Sequence, residues 1–184
     1  LALICLAGLV SCNKLEDVQA VKLTGAAQTS EQKFSKYLQL AEQGNIDATI
    51  QVARMHFIGE GTPKSAENAA TWAGRAAEKG SAKAQGTLGW MYLQGLGVSQ
   101  DDQAAFRWLN SAAGQGDAFA QANLAWMYSQ GRGVEKDEMK ALQLWERSSE
   151  QGNAFAQASL GQKYLQGAGV KLDVVKAVGL FQKA

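Results

Sequence analysis

The chain has 184 residues and is nearly neutral, with 18 Lys and Arg against 17 Asp and Glu for a net charge of +1. A nucleic-acid-binding surface should be visibly basic, so this balance argues against one. No run of about 18 or more apolar residues occurs, which excludes a membrane-spanning helix. The length suits one domain or one array of small units.

Leu1–Val10 is apolar and alanine-rich, with no charge before Lys14. It reads as the tail of a secretory hydrophobic region whose basic start and initiator Met lie upstream, so the chain is expected to be an N-terminally truncated fragment. Leu9-Val10-Ser11-Cys12 is similar to a bacterial lipobox, in which cleavage falls before the Cys and the Cys carries the lipid. Residues 1–11 are then a signal-peptide remnant and Cys12 the lipidation site, with several acyl chains giving a firm membrane anchor. Asn13, where Asp would favour the inner membrane by the same analogy, points to the outer membrane facing the periplasm. Cys5 lies in the segment to be removed, so the mature chain has no Cys pair for a disulfide framework or a zinc site. The polar stretch 12–28 reads as the lipidated Cys and its linker.

Residues 29–44 form a predicted capping helix. Thr29-x-x-Gln32 is a capping-box pattern, and Phe34, Tyr37, Leu38 and Ala41 make an apolar stripe. The ending Ala41-Glu42-Gln43-Gly44 matches Ala77-Glu78-Lys79-Gly80, as if this helix were the second half of a lost repeat covering the end of a stack.

From residue 45 the sequence repeats itself. Gly44, Gly80, Gly116 and Gly152 follow one another at intervals of 36, dividing the chain into copies 45–80, 81–116, 117–152 and 153–184. A fixed period in this range marks a solenoid, in which each unit buries its apolar face only against its neighbours. In each copy a small residue, an aliphatic and an aromatic or His fall on one helical face: Ala48/Val52/His56, Ala84/Leu88/Tyr92, Ala120/Leu124/Tyr128 and Ala156/Leu160/Tyr164. A Gly-x-Gly turn follows, at Gly59/Gly61, Gly95/Gly97, Gly131/Gly133 and Gly167/Gly169, where a helix should end on a left-handed residue. Ser65, Asp101, Asp137 and Asp173 are the expected N-caps of a second helix. That helix carries Ala69/Trp72, Ala105/Trp108, Ala141/Trp145 and Ala177/Phe181. The only proline, Pro63, falls in a turn. The last copy stops inside its second helix, so either the chain continues or the stack ends with apolar surface bare.

Ala84-x-x-x-Leu88-Gly89-x-x-Tyr92-x-x-Gly95-x-Gly97-Val98, followed by Asp101-x-x-x-Ala105-x-x-Trp108-x-x-x-Ala112-Ala113-x-x-Gly116, resembles the Sel1-like repeat, a relative of the tetratricopeptide repeat. The resemblance recurs in register through residues 45–184 and is weakest in copy one, which has Arg54, His56 and Thr62 at pattern positions. It implies an all-α, right-handed superhelical solenoid of about four helix pairs. It also implies non-enzymatic protein–protein contact, with the first helix of each pair lining a concave face. Cysteine-rich relatives carry a disulfide in each repeat; this array has no Cys.

On that alignment three rows face inward. They are Asp47, Lys83, Phe119 and Phe155; then Arg54, Trp90, Trp126 and Gln162; then Ile58, Gln94, Gln130 and Gln166. Trp90, Trp126, Phe119, Phe155, Arg54, Gln94, Gln130 and Gln166 are the candidate partner-binding residues. Exposed aromatics anchor interfaces, and Gln side chains hydrogen-bond a peptide backbone. The alternative for Trp90 and Trp126 is packing between repeats. The expected partner is a protein or peptide, with no cofactor, metal or nucleic acid, at the bacterial cell envelope.

Chemistry has thin support. Ser30-x-x-Lys33 matches the nucleophile motif of serine β-lactamases, an activity also described for some Sel1-like proteins, but the Ser-Asp-Asn and Lys-Thr-Gly partner motifs are missing. His56, the only His, stands where the other copies have Tyr and reads as a core substitute. The Gly-x-Gly turns lack the strand and the Lys-Ser/Thr of a phosphate loop, and Asp101-Asp102 sits at a helix start, where negative charge is favoured. Catalytic residues are therefore expected to be none, the alternatives being a β-lactamase-like hydrolase or a secreted effector or colonisation factor that binds host proteins.

Overall fold

The computed structural model describes residues 28–184. The signal remnant, Cys12 and the linker up to residue 27 lie outside the described residues.

Nine helices and no strand occur among the described residues: α1 (Ser30–Glu42), α2 (Ile46–Ile58), α3 (Ala66–Glu78), α4 (Ala82–Gln94), α5 (Asp102–Gly114), α6 (Ala118–Gln130), α7 (Glu138–Glu150), α8 (Ala154–Gln166) and α9 (Val174–Lys183). Each helix packs on the one before and the one after it, giving a solenoid of helix pairs led by α1.

Local sequence sets every boundary. The Thr29 capping box is present, Thr29 Oγ1 accepting from the Gln32 N–H while Gln32 Oε1 accepts from the Thr29 N–H. Ser65, Asp101, Asp137 and Asp173 cap α3, α5, α7 and α9. The first helices are capped as well: the side chains of Asn45, Ser81, Asp117 and Asn153 accept from the N–H groups of Ala48, Ala84, Ala120 and Ala156. A cap of this kind is worth about 1 kcal/mol.

The two glycines of each turn do different work. Gly95 is left-handed, with φ of 68°, and ends α4 by donating its N–H to the Met91 carbonyl. Gly97 is left-handed as well, but it is also pressed against the preceding repeat: a Cβ there would lie 2.0 Å from the Ala66 carbonyl oxygen at the start of α3. Gly61 and Gly133 make the same approach to the carbonyls of Ser30 and Asp102, at 2.1 and 2.4 Å. The second glycine is thus the point where one repeat's turn seats on the previous repeat's second helix.

The core runs the length of the stack as linked clusters of Ala, Leu and Met with half-buried aromatics around them. The structure corrects the second-helix pattern. The residue 36 after Trp108 is Leu144, not Trp145, and both Trp108 and Leu144 are half-buried. Trp145 instead continues the row Ala73, Leu109, Trp145 and Phe181, whose first three members are 2, 0 and 3% exposed. This row faces the first helix of its own pair. A Cβ on Gly89 would lie 2.7 Å from Leu109, and one on Gly161 2.9 Å from Phe181.

A second recurring device joins the repeats. The Gln85 amide donates to the Ala77 carbonyl at 3.1 Å, and its oxygen accepts from Ser111 Oγ and Gln115 Nε2 at 2.9 and 2.7 Å. Gln121 does the same one repeat on, donating to Ala113 O and accepting from Gln151 Nε2 at 2.8 Å. One buried side chain therefore bridges the end of one second helix to the end of the next. Gln157 keeps the donor half, to Ser149 O at 3.2 Å, while its oxygen has no partner among the described residues. Arg132 adds a bidentate clamp from the third turn to Asp102 on α5, at 3.0 and 2.5 Å.

Candidate binding face

The four first helices, α2, α4, α6 and α8, expose residues along one face of the stack, and three hollows lie between them in succession. The first, about 390 Å³, is walled by Ile50, Arg54 and Phe57 of α2 and by Lys83, Thr87 and Trp90 of α4, with Phe119 at its far side. The second, about 360 Å³, lies between α4 and α6, with Trp90, Gln94, Phe119, Asn123 and Trp126 around it and Phe155 beyond. The third, about 290 Å³, lies between α6 and α8 and is lined by Trp126, Gln130, Phe155, Gln162, Lys163 and Gln166, among others. Trp90 and Phe119 form the wall shared by the first two hollows, and Trp126 with Phe155 the wall shared by the last two.

All eight predicted partner-binding residues line at least one hollow. Of the wider rows, Lys83 and Gln162 join them, whereas Asp47 and Ile58 line none of the three, although Ile58 is 51% exposed. Trp90 and Trp126 take the packing position that the sequence offers as one alternative, and they also line the hollows. Trp90 is half-buried and meets Phe57 and Phe119, from the repeats on either side, edge-on at centroid distances of 6.1 and 6.3 Å. Trp126 is half-buried with the Arg132 guanidinium 5.3 Å from its ring, and that guanidinium is itself held by Asp102. Packing fixes both indoles, and the same indoles wall the hollows.

The face is sparsely charged. Arg54 pairs with Glu60 at 2.7 Å and also bonds Gln51. Lys163 pairs with Glu138 of α7. The second hollow has no charged lining residue. The side-chain amides of Gln94, Gln162 and Gln166 make no hydrogen bond among the described residues, while Asn123 donates to the Phe119 carbonyl and Gln130 to Ser129 Oγ.

Sequence reasoning missed Asn123, Lys163 and Trp145. Trp145 belongs to a second helix, yet it lines the third hollow, because Ser129 stands where copy two has Leu93 and leaves room for the indole. Its Nε1–H is buried without an acceptor among the described residues, a cost of about 1–3 kcal/mol. The signal was present in the register: counting 36 from Leu109 reaches Trp145.

The candidate chemical groups stand elsewhere. Ser30 and Lys33 are exposed on the first turn of α1 and line none of the three hollows. His56 is 8% exposed, meets Phe34 edge-on at 5.1 Å and lies 3.5 Å from Thr62 Oγ1. Burial pushes its imidazole below the ordinary value of 6.5, with a weaker opposing effect from the Pro63 backbone. Among the described residues no group of three or more His, Cys, Asp or Glu is placed to hold a metal ion, and no helix is long and apolar enough to cross a membrane.

The Sel1 repeat family model matches four times, over residues 46–81, 82–117, 118–153 and 154–184. No curated protein matches the chain significantly. Among solved structures, a Sel1 repeat protein from Oxalobacter formigenes is 31% identical with a TM-score of 0.80, over 86% of this chain and 63% of its own. A protective antigen of uropathogenic Escherichia coli strains displaying an SLR fold is 32% identical with a TM-score of 0.71, over 84% of this chain and 33% of its own. Helicobacter pylori cysteine rich protein B shares the fold at 20% identity and a TM-score of 0.55, over 71% of this chain and 97% of its own. The chain thus spans about a third of the Escherichia coli protein and just under two thirds of the Oxalobacter one. Matched by the family model over four consecutive repeats, this chain belongs to the Sel1 repeat family, whose members are generally scaffolds for protein–protein interaction.

Proposed function

We propose that the chain is a non-enzymatic adaptor that holds a peptide or protein segment along the face of its first helices. The observation that carries this reading is the unbroken line of three hollows walled by Trp90, Phe119, Trp126 and Phe155. Large aromatics partly open to solvent and fixed by packing are what interface anchors require. A rigid stack also loses little ordering entropy when a partner binds. The lipobox-like Cys12 supports placing the adaptor at a bacterial membrane surface, with the outer membrane facing the periplasm as the favoured site. The four Sel1 repeats support binding over turnover.

The test is site-specific photo-crosslinking in the envelope. A crosslinker at Gln130, in the third hollow, should capture a discrete protein. One at Lys140, exposed on α7 and paired with Asp137 at 3.1 Å, should not. Equal capture from both positions, or capture from neither, would overturn the assignment of this face. Fractionation of Cys12→Ser tests the anchor: release of the variant from membranes is expected, and a wild-type chain already released would sink the lipid anchor.

A further inference from the structure

We propose that the first hollow is a binding site for a small aromatic carboxylate, whose ring takes the place that Trp145 fills two repeats further on and whose carboxylate meets Lys83. The inference concerns this one hollow and does not depend on the adaptor reading.

The first argument is a void that the sequence of copy one creates. Ala73 of α3 and Trp145 of α7 occupy the same repeat position, in the row Ala73, Leu109, Trp145 and Phe181, of which Ala73 is the smallest member. The backbones of α4 and α6 pack closely, whereas those of α2 and α4, and of α6 and α8, do not. Between α6 and α8 the opening is filled from below by Trp145, which lines the third hollow. Between α2 and α4 it is left open, and the first hollow reaches past the first helices to Ala69 and Ala73 of α3. Phe57, standing where copy two has Leu93, does not fill it either. It is half-buried, turned edge-on to Trp90 at 6.1 Å, and forms a wall of the hollow.

Size and lining select a ring. The volume of about 390 Å³ falls within the range of about 300–1,000 Å³ usual for small-molecule sites. The deep part is made by Ala53, Ala69, Ala73 and Met91, all buried and all apolar. Such a surface gives water no hydrogen-bond partner and takes up an apolar group instead. Phe57 and Trp90 flank it, and aromatic walls favour an aromatic occupant beyond the area that it buries. The Trp145 indole shows in the third hollow that a ring of this size fits over a second helix.

Charge selects the other end of the ligand. Arg54 and Lys83 line the first hollow, and no acidic residue does among the described residues. Arg54 is engaged by Glu60 and Gln51, while Lys83 makes no ion pair among the described residues. The second hollow has no charged lining residue, and the Lys163 of the third is paired with Glu138. Of the three hollows, the first alone sets a free cation beside an apolar floor. A carboxylate on an aromatic body complements both, whereas an amine on the same body would face Lys83 with like charge.

The test is isothermal titration calorimetry of the purified chain with indole-3-propionate. Saturable binding of one equivalent is expected, with a Kd of about 1 mM or tighter. Tryptamine, which carries an ammonium on the same ring, should bind at least about tenfold more weakly. Ala73→Trp, which fills the first hollow as Trp145 fills the third, should abolish binding. Ala73→Leu, which copies copy two, should weaken it about tenfold without lowering Tm, because the new side chain enters a void. Lys83→Gln should weaken it about threefold, the modest factor suiting an exposed charge. The indole N–H resonance of Trp90 should shift on binding and that of Trp145 should not. No saturable binding, equal affinity for tryptamine, or binding indifferent to Ala73→Leu would each overturn the inference. A marked fall in Tm for Ala73→Leu would also overturn it, by showing that no void exists. Tighter binding of the tripeptide Ala-Ala-Trp than of indole-3-propionate would overturn the free acid as ligand and give the hollow to a protein chain end. Crosslinking at Gln130, in the third hollow, stands or fails independently of all these results.

Discussion

Copies two and three share caps, turns and alanine core, yet they fill the space between their helices differently. Copy two uses Gly89, Leu93 and Leu109; at the same positions copy three uses Ala125, Ser129 and Trp145. The side chain on the second helix grew, while on the first helix Leu93 gives way to the smaller Ser129 and Gly89 to the slightly larger Ala125. Total volume is roughly kept, which is the exchange that cores tolerate. The consequence reaches the surface. Leu109 is sealed within copy two, whereas Trp145 lines the third hollow. A repeat frame can therefore be held constant while its packing residues remodel the hollows along the first helices.

The largest expected effect breaks copy three directly. Trp145→Ala should cost about 3–5 kcal/mol in urea unfolding, since it leaves a cavity where the indole stood. Close behind, Gly97→Ala should cost about 3 kcal/mol or more, because its Cβ would collide with the Ala66 carbonyl. Gly169→Ala, whose Cβ would meet only side chains of Leu142 and Glu138 at 3.1 and 3.2 Å, should cost nearer ~1–2 kcal/mol. Similar losses at the two glycines would mean that the seating of turn on helix does not matter.

A swap sharpens the comparison. Ser129→Leu should overpack against Trp145, and Trp145→Leu should leave a void, each costing about 1–3 kcal/mol. Together they restore the pair of leucines that copy two has at these two positions, with Ala125 still standing where copy two has Gly89, so the double variant should be more stable than the sum of the two losses predicts. Strict additivity in thermal unfolding would show that the two positions are independent.

Smaller effects follow at the edges. Arg132→Ala should cost about 0.5–1 kcal/mol, because the pair with Asp102 is about 30% exposed on both sides. It should also loosen Trp126, which nuclear magnetic resonance of the indole N–H would detect. The smallest effect is the pH dependence of copy one. His56 is held neutral by burial, with its folded pKa below the unfolded 6.5, so unfolding takes up a proton below that value. The stability it contributes is whole above about pH 6.5 and falls as pH drops from there towards its folded pKa. His56→Tyr, which copies the other repeats, should flatten that slope. An unchanged slope would place the pH sensitivity elsewhere.

Much of this was legible in the sequence. Glycines 36 apart, the N-caps at Ser65, Asp101, Asp137 and Asp173, and the capping box at Thr29 are local devices, each set by one or two backbone conformations or by one side-chain hydrogen bond. The rows of the first helix were legible too, because 3.6 residues per turn turns a repeat alignment into a face. Trp145 misled, since a Trp near the expected position hid a shift of one residue, and on a helix one residue is a rotation of about 100°.

The sequence by itself determined the period, the alternation of helix and turn, and which side chains the first helices present, because these depend on contacts within a few residues. Only the tertiary structure decided that Gly97 is pressed against the repeat before it, that Gln85 bridges two second helices, and that Trp145 reaches the opposite face. Each of these depends on residues about one repeat apart, or on how two helices of a pair share their volume. No pattern within a single helix carries that information, because the distance between helices is set by the sum of the side chains on both.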